Sequence, residues 1–420
     1  MIPRPIRQLA PALLLTILPL VPLATSPAIA AGPPTYQVTD LGTLGGSFSL
    51  PTDINDRGQV VGEATLPGDT TYRAFRWQNG VMTDLGTLGG PNSFANGIDA
   101  TGQVAGGADT ATASNDPYCF APPDGSACHA FLLRNGVKVD LGTFGGANSE
   151  AAGLNDRQQV VGQAETGVID PATGYSYAHA YLWQRGALTD LGTVGDGQYS
   201  GANSINDAGQ VVGTSTISTV PNPLLVLPNY HAALWQNGTA ADLGTLGGDG
   251  SIAFQVNQRG QIVGFSFLAD DVDFHAFLWQ NGTMTDLGTV AGDTASQAYG
   301  ISDRGQIVGS SGTTSALVHA FLWQAGVMTD LNTRIPSDSG WQLQVAYKLN
   351  ARGQIVGVGI INGQPHGFLL TPTAGQSIDP TASAGSASTA ASQSGAQPHS
   401  PIQWRMPRWG RSGAVRAASR

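Results

Sequence analysis

Apolar residues along this chain fall in short runs in which both alternating faces are hydrophobic. In His275-Ala276-Phe277-Leu278-Trp279, the side chains of His275, Phe277 and Trp279 point one way and those of Ala276 and Leu278 the other. Val60 and Val61 likewise face opposite sides. A run of this length bounded by turn residues predicts a strand, and apolarity on both faces predicts a strand covered on both sides. Polar punctuation lies between the runs. Asn55-Asp56-Arg57-Gly58 and Gln78-Asn79-Gly80 have the composition of tight hairpin turns, with Gly supplying the positive φ. A third copy of the first turn carries Gln158 where Gly is expected.

The runs recur in fixed order. The His-Ala-Phe slot returns as Arg73-Ala74-Phe75, His129-Ala130-Phe131, His179-Ala180-Tyr181, His231-Ala232-Ala233, His319-Ala320-Phe321 and His366-Gly367-Phe368, which makes seven copies. Six of the seven histidines and five of the eight tryptophans sit in it. An Asp-Leu-Gly element stands at Asp40, Asp84, Asp140, Asp190, Asp242 and Asp286, and as Asp330-Leu331-Asn332. Segments like Ile54-Asn55-Asp56-Arg57-Gly58-Gln59-Val60-Val61-Gly62 start at Ile98, Leu154, Ile205, Val256, Ile301 and Leu349.

Each unit therefore holds four short antiparallel strands in about 44 to 56 residues, the size of one propeller blade. The first strand of a unit is rich in small residues, as in Ala151-Ala152-Gly153, which suits a crowded position near an axis. The last unit stops at Leu370 without an Asp-Leu-Gly strand, while Tyr36 to Leu41 precedes the first unit without a unit of its own. Pairing these two orphans closes a ring and removes the exposed strand edges. The expectation is an all-β, seven-bladed β-propeller of four-stranded blades over residues 34–371, closed by its N-terminal strand.

The three motifs together resemble the HAF-repeat family of bacterial extracellular proteins, over about residues 36 to 370. The resemblance implies export and a repeat architecture. It implies no reaction.

The flanks agree with export. Arg4 and Arg7 precede an apolar run from Leu9 to Ala24 broken by three prolines, and Ala28-Ile29-Ala30 is a small-x-small cleavage pattern. Residues 1–30 read as a secretory signal peptide, and the run is too short for the ~20 apolar residues of a membrane span. No other stretch could span a bilayer, so the mature protein is expected outside the cytoplasm, extracellular or periplasmic. In that setting Cys119 and Cys128, the two cysteines, read as a disulfide. Residues 372–420 read as an Ala/Ser-rich disordered linker and basic tail. Trp404, Trp409 and five arginines near its end leave two readings, a solvated tail and, less favoured, a weak contact with an anionic surface.

Charge narrows the partners. Between the flanks lie 12 basic and 28 acidic residues, and only Lys138 and Lys348 are lysines. Such a body is unsuited to nucleic acid. No Gly-x-Ser-x-Gly, His-Glu-x-x-His, Cys-x-x-Cys or phosphate-binding Gly-Lys motif occurs, so no catalytic residue and no cofactor is indicated.

Whatever recurs in every unit is needed to build a blade, and whatever occurs once is a candidate for function. His129, His179, His231, His275, His319 and His366 are therefore expected to be structural, each imidazole bonded to a neighbouring loop. Equivalent slots of different blades lie on a circle and cannot converge on one metal ion, and Arg73 in place of His fits a hydrogen-bond donor. Variation concentrates between second and third strands, in 107–128, 163–178, 214–230 and 265–274. These stretches and the inter-blade connections emerge on one face. They hold the binding candidates Tyr118, Phe120, Tyr175, Tyr177, Tyr230, Asp270, Asp271 and Asp273, with Leu224 and Leu225. Aromatics beside carboxylates suit a saccharide or protein ligand. Three carboxylates are too few for a calcium site. The reading is a secreted binding or adhesion scaffold. The alternatives are a polysaccharide hydrolase or lyase using loop carboxylates, and an envelope component tethered by its tail.

Overall fold

The computed structural model describes residues 34–114, 125–171, 174–221 and 228–373. These form seven four-stranded antiparallel sheets arranged as a β-propeller. Apart from a single 3-10 turn at Leu331–Arg334, no helix occurs among the described residues. Blade 1 comprises Ser49–Ile54, Val60–Thr65, Tyr72–Gln78 and Val81–Asp84 from the axis outward. Blades 2 to 6 repeat this order, with innermost strands Gly89–Ile98, Ser149–Leu154, Ser200–Ile205, Gly247–Val256 and Ala295–Ile301. Blade 7 is built from both ends of the chain. Gln342–Leu349, Ile355–Ile361 and Gln364–Pro372 supply its inner three strands, and Tyr36–Asp40 pairs antiparallel as the outermost, from Tyr36↔Pro372 to Asp40↔Phe368.

Alternate residues of each strand pack against opposite neighbours, as double-sided apolarity requires. Val60, Phe75 and Trp77 of blade 1 cluster with Val356 and Leu369 of blade 7. Val61 and Ala74 cluster with Ala95, Ile98, Val104 and Phe131 of blade 2. The aromatic of the His-Ala-Phe slot is fully buried at Phe75, Phe131, Tyr181, Phe277, Phe321 and Phe368. Burying such a ring stabilises the fold by about 1.5–3 kcal/mol. The Val-Val-Gly motif is equally dictated. A Cβ on Gly62 would stand 2.0 Å from the Leu50 carbonyl oxygen of the innermost strand, and one on Gly264 1.8 Å from that of Ile252. Only glycine lets the two inner strands approach this closely.

The turns take the expected forms. Asn79 and Gly80 have φ of 51° and 83°, the paired positive values of a type I′ hairpin. Gln158 adopts φ 61° where the other copies use Gly.

Two expectations need correction. The long stretches between second and third strands are not loops throughout, because second strands run on as Val104–Ala113, Val160–Ile169 and Val211–Pro221. Third strands begin correspondingly early, at Ser126, Ser176 and Pro228. Their Thr- and Val-rich composition continues the pairing past the body of the blade, across a register shift. The innermost strands are also not uniformly small, since those of blades 5, 6 and 7 carry Phe254, Tyr299 and Tyr347.

Candidate functional site

The repeated polar residues are occupied in holding blades together. In five copies the imidazole Nδ1 meets the aspartate of the Asp-Leu-Gly element on the outermost strand of the same blade, at 2.8 Å in His129–Asp140, His179–Asp190, His231–Asp242 and His275–Asp286, and at 3.0 Å in His366–Asp40. In blade 1, Arg73 Nε takes this place, 3.5 Å from Asp84. The same aspartates accept the backbone N–H two residues on, as Asp140 does from Gly142 at 2.8 Å. The bond to Asp140 holds the His129 imidazole above its usual pKa against the opposing effect of burial. Burial pushes the other way on Asp140, but the His129 bond and the Gly142 N–H keep it below the carboxylate norm. His319 is the exception. Asp330 caps the 3-10 turn, and His319 pairs with Asp293 of the preceding connection at 2.9 Å.

In blades 1 to 6 a serine near the start of the innermost strand ties the blade to the one before, while the innermost strand of blade 7 has no serine. Ser149 Oγ accepts the Ala130 N–H at 3.0 Å and donates to the Gly142 carbonyl at 2.6 Å, joining both repeat motifs of blade 2. Ser93, Ser200, Ser251 and Ser296 repeat the arrangement. Ser49 accepts from Gly367 across the seam at 2.9 Å. At the opposite face, Asn55, Asn155, Asn206, Asn257 and Asn350 each donate to a backbone carbonyl of an adjoining blade. The sequence reading missed these serines. Their signal was a serine nine or ten residues after the aspartate of the Asp-Leu-Gly element.

The candidate binding residues fall into separate groups. On the blade 3 hairpin, the buried Asp170 carboxylate accepts the Tyr199 hydroxyl at 2.5 Å and the Tyr177 hydroxyl at 3.5 Å. The rings of Tyr177 and Tyr199 meet edge to face at 5.0 Å. Burial, then the Asp170 charge, raise the pKa of Tyr177. Tyr175 stands beside this cluster, 41% exposed, its carbonyl accepting the Asp170 N–H at 2.8 Å. Tyr230 packs at the edge of Gly250 and Phe267, and burial pushes its phenol up to about 12.

The aspartates of blade 5 do not converge. Asp270 Oδ1 accepts the N–H groups of Val272 and Asp273, which hold its carboxyl below the usual range. Asp271, at φ 54°, accepts the Asp249 N–H at 2.6 Å, and the Asp273 carbonyl closes the turn with Leu268. Asp69 of blade 1 does what Asp271 does, accepting the Ser47 N–H at 2.7 Å. Asp271 is thus part of a repeated turn rather than unique. No group of three potential metal ligands occurs among the described residues. Tyr118, Cys119 and Phe120 lie outside the described residues. Cys128 is buried against Phe94 and Ala178.

Eight large hydrophobic residues are exposed among the described ones. Val81, Val137 and Val327 begin outermost strands, a repeated position. The other five, Val168, Ile169, Tyr175, Val220 and Val272, belong to the second-to-third strand hairpins of blades 3, 4 and 5, which are consecutive. No described helix is long and apolar enough to cross a membrane.

No family model and no curated protein matches this chain. Solved structures resemble it distantly. Acylaminoacyl peptidase from Pyrococcus horikoshii is 11% identical with a TM-score of 0.43, over 77% of this chain and 51% of that one. A gluconolactonase from Xanthomonas campestris is 11% identical with a TM-score of 0.37, over 84% and 99%. TolB from Acinetobacter baumannii is 10% identical with a TM-score of 0.38, over 76% and 64%. The chain spans about half the length of the peptidase it matches.

Proposed function

We propose that this protein is an exported binding or adhesion scaffold whose ligand, a protein or a saccharide, sits on the face of the second-to-third strand hairpins. The observation that carries this reading is the set of exposed apolar residues on three consecutive hairpins, Val168, Ile169, Tyr175, Val220 and Val272. Building a blade does not need them, because blade 1 closes the same turn with polar and small residues, Pro67-Gly68-Asp69-Thr70. Exposed apolar groups on one face lose water on binding, which favours association. The Asp170 cluster adds rigidity, since its carboxylate accepts both the buried Tyr199 hydroxyl and that of Tyr177, fixing the hairpin beside the exposed Tyr175. Export, cleavage after Ala30, kinship with the HAF-repeat proteins and a Cys119–Cys128 disulfide belong to the same reading. The rival, a polysaccharide hydrolase or lyase, requires two carboxylates about 5 to 10 Å apart in one pocket.

The test is a glycan array and a panel of envelope proteins probed with the mature protein, with product analysis of each glycan bound. The variant Tyr175→Ser/Val220→Ser/Val272→Ser should lose binding while melting as the parent does. Binding that survives in this variant overturns the choice of face, and released sugar fragments favour the hydrolytic reading.

A further inference from the structure

The innermost strands line the axis, and each carries a β-bulge at the same place, where one residue is left without a partner in the neighbouring strand. The seven unpaired residues are Thr52, Asn96, Ala152, Asn203, Phe254, Tyr299 and Tyr347. All are partly exposed, while the residue before each is buried. They form the wall of the central channel, and the wall has two halves. Thr52, Asn96 and Asn203 spend their side chains on carbonyls of the next blade, at Ala95, Ala151 and Ala253. Phe254, Tyr299 and Tyr347 instead form an arc of rings, with centroids 5.0 Å and 5.3 Å apart.

The residue after the bulge has a structural task in the other blades that carry a side chain there. Asp53, Ser204 and Gln255 each accept a backbone N–H of the following blade, at Ile98, Val256 and Ile301. In blade 7 this slot holds Lys348, a donor, which cannot do so. Lys348 is the one basic residue on any innermost strand. Asp53 is the charge acting on it, and its two oxygens accept the N–H groups of Ile54 and Ile98 rather than a bond from the ammonium. Among the described residues, the Lys348 ammonium makes no hydrogen bond and no ion pair within 4.0 Å. Burial lowers its pKa, with Asp53 opposing. Lys348 is partly exposed, so its ammonium can be reached, and an anion delivered to a half-buried cation that lacks a hydrogen-bonded partner gains a charge-assisted bond.

We propose that the central channel binds a small ring-bearing carboxylate of the acidic-monosaccharide type, its carboxylate on the Lys348 ammonium and one face of its ring on Tyr299 and Tyr347. The charge-assisted bond supplies the missing partner. The rings offer a flat, polarisable surface to the C–H face of a sugar. This site is separate from the hairpin face and stands or falls without it.

Two lysines in the whole chain make the test direct. Reductive methylation with 13C-formaldehyde labels Lys138, Lys348 and the N-terminal amine of the full-length folded protein, and Lys138→Arg and Lys348→Arg assign the signals. Titration with D-glucuronate should shift the Lys348 signal saturably and leave that of Lys138 in place. D-glucose should do neither. By calorimetry on unlabelled protein, Lys348→Met should weaken glucuronate binding about ten- to a hundredfold. The hairpin variant Tyr175→Ser/Val220→Ser/Val272→Ser should bind glucuronate as the parent does. If Lys348→Met does not fold, the labelled parent decides the matter alone. An unmoved Lys348 signal, equal shifts with glucose, parallel shifts of both lysines, or loss of glucuronate binding in the hairpin variant overturns the proposal.

Discussion

His366 Nδ1 lies 3.0 Å from Asp40 Oδ2, although 326 residues separate them. The same pairing joins His275 to Asp286 within a single continuous blade. Blade 7 therefore reproduces the standard blade from two ends of the chain, down to its side-chain bonds. Deleting residues 31–42 removes the outermost strand and leaves Gln364–Pro372 as an open edge. The shortened protein should form oligomers or aggregates in size-exclusion chromatography. A monomer of undiminished thermal midpoint would show that closure contributes little.

Ser49 closes the ring on its other side by accepting the Gly367 N–H. Ser49→Ala leaves that buried donor without its partner, at a cost of about 1–3 kcal/mol. Denaturant unfolding should show this loss with an unchanged m-value. Ser149→Ala should cost a comparable amount, since Ser149 makes the same contact to Ala130.

Tyr181 occupies a slot that is Phe in five other blades, and its hydroxyl is buried without a hydrogen-bond partner. Burial, then the Glu150 charge, hold its pKa far above that of an ordinary phenol. Tyr181→Phe removes an unmet polar group at little change in volume, and the thermal midpoint should rise or stay level. A marked fall would reveal a bond to the hydroxyl, for instance through water.

Much of this architecture was legible in the chain because repetition served as its own control. The orphan strand at Tyr36 and the last unit ending at Leu370 each lack a partner in the sequence, and each is the other's only match. The site was less legible for the same reason. Sorting by uniqueness marked Asp271, yet Asp69 does the same work in a turn of different sequence. It also passed over Phe254, Tyr299 and Tyr347, because the bulge that turns them to the axis depends on pairing with the second strand. A one-residue irregularity of this kind leaves no mark in the hydrophobic period.

The His129–Asp140 pair sets a pH window. His129 is raised above its ordinary value, so its contribution is complete below the unfolded pKa and is lost as pH rises through the folded one. Asp140 is lowered, so its contribution is present above the unfolded pKa and is lost as pH falls through the folded one. The two overlap between about pH 4 and about pH 6.5. The difference in thermal midpoint between the parent and His129→Gln should be largest there and shrink towards alkaline pH. A difference that is flat from acid to alkaline pH would mean the imidazole acts as a neutral donor throughout.

Core and hairpin residues should separate cleanly by the property they control. Trp279 looks central in sequence but is only partly buried, whereas Phe277 beside it is fully enclosed by Val212, Ala253 and Ile262. Phe277→Ala removes that packing between blades 4 and 5 and should cost about 3–5 kcal/mol, lowering the thermal midpoint sharply. Tyr175→Ser, at an exposed hairpin position, should stay within about 0.5 kcal/mol of the parent. If Tyr175→Ser instead destabilises as much as Phe277→Ala, the Asp170 cluster beneath it is a structural core of the hairpin. The apolar exposure on blades 3 to 5 would then reflect packing within each hairpin rather than a surface kept for a ligand.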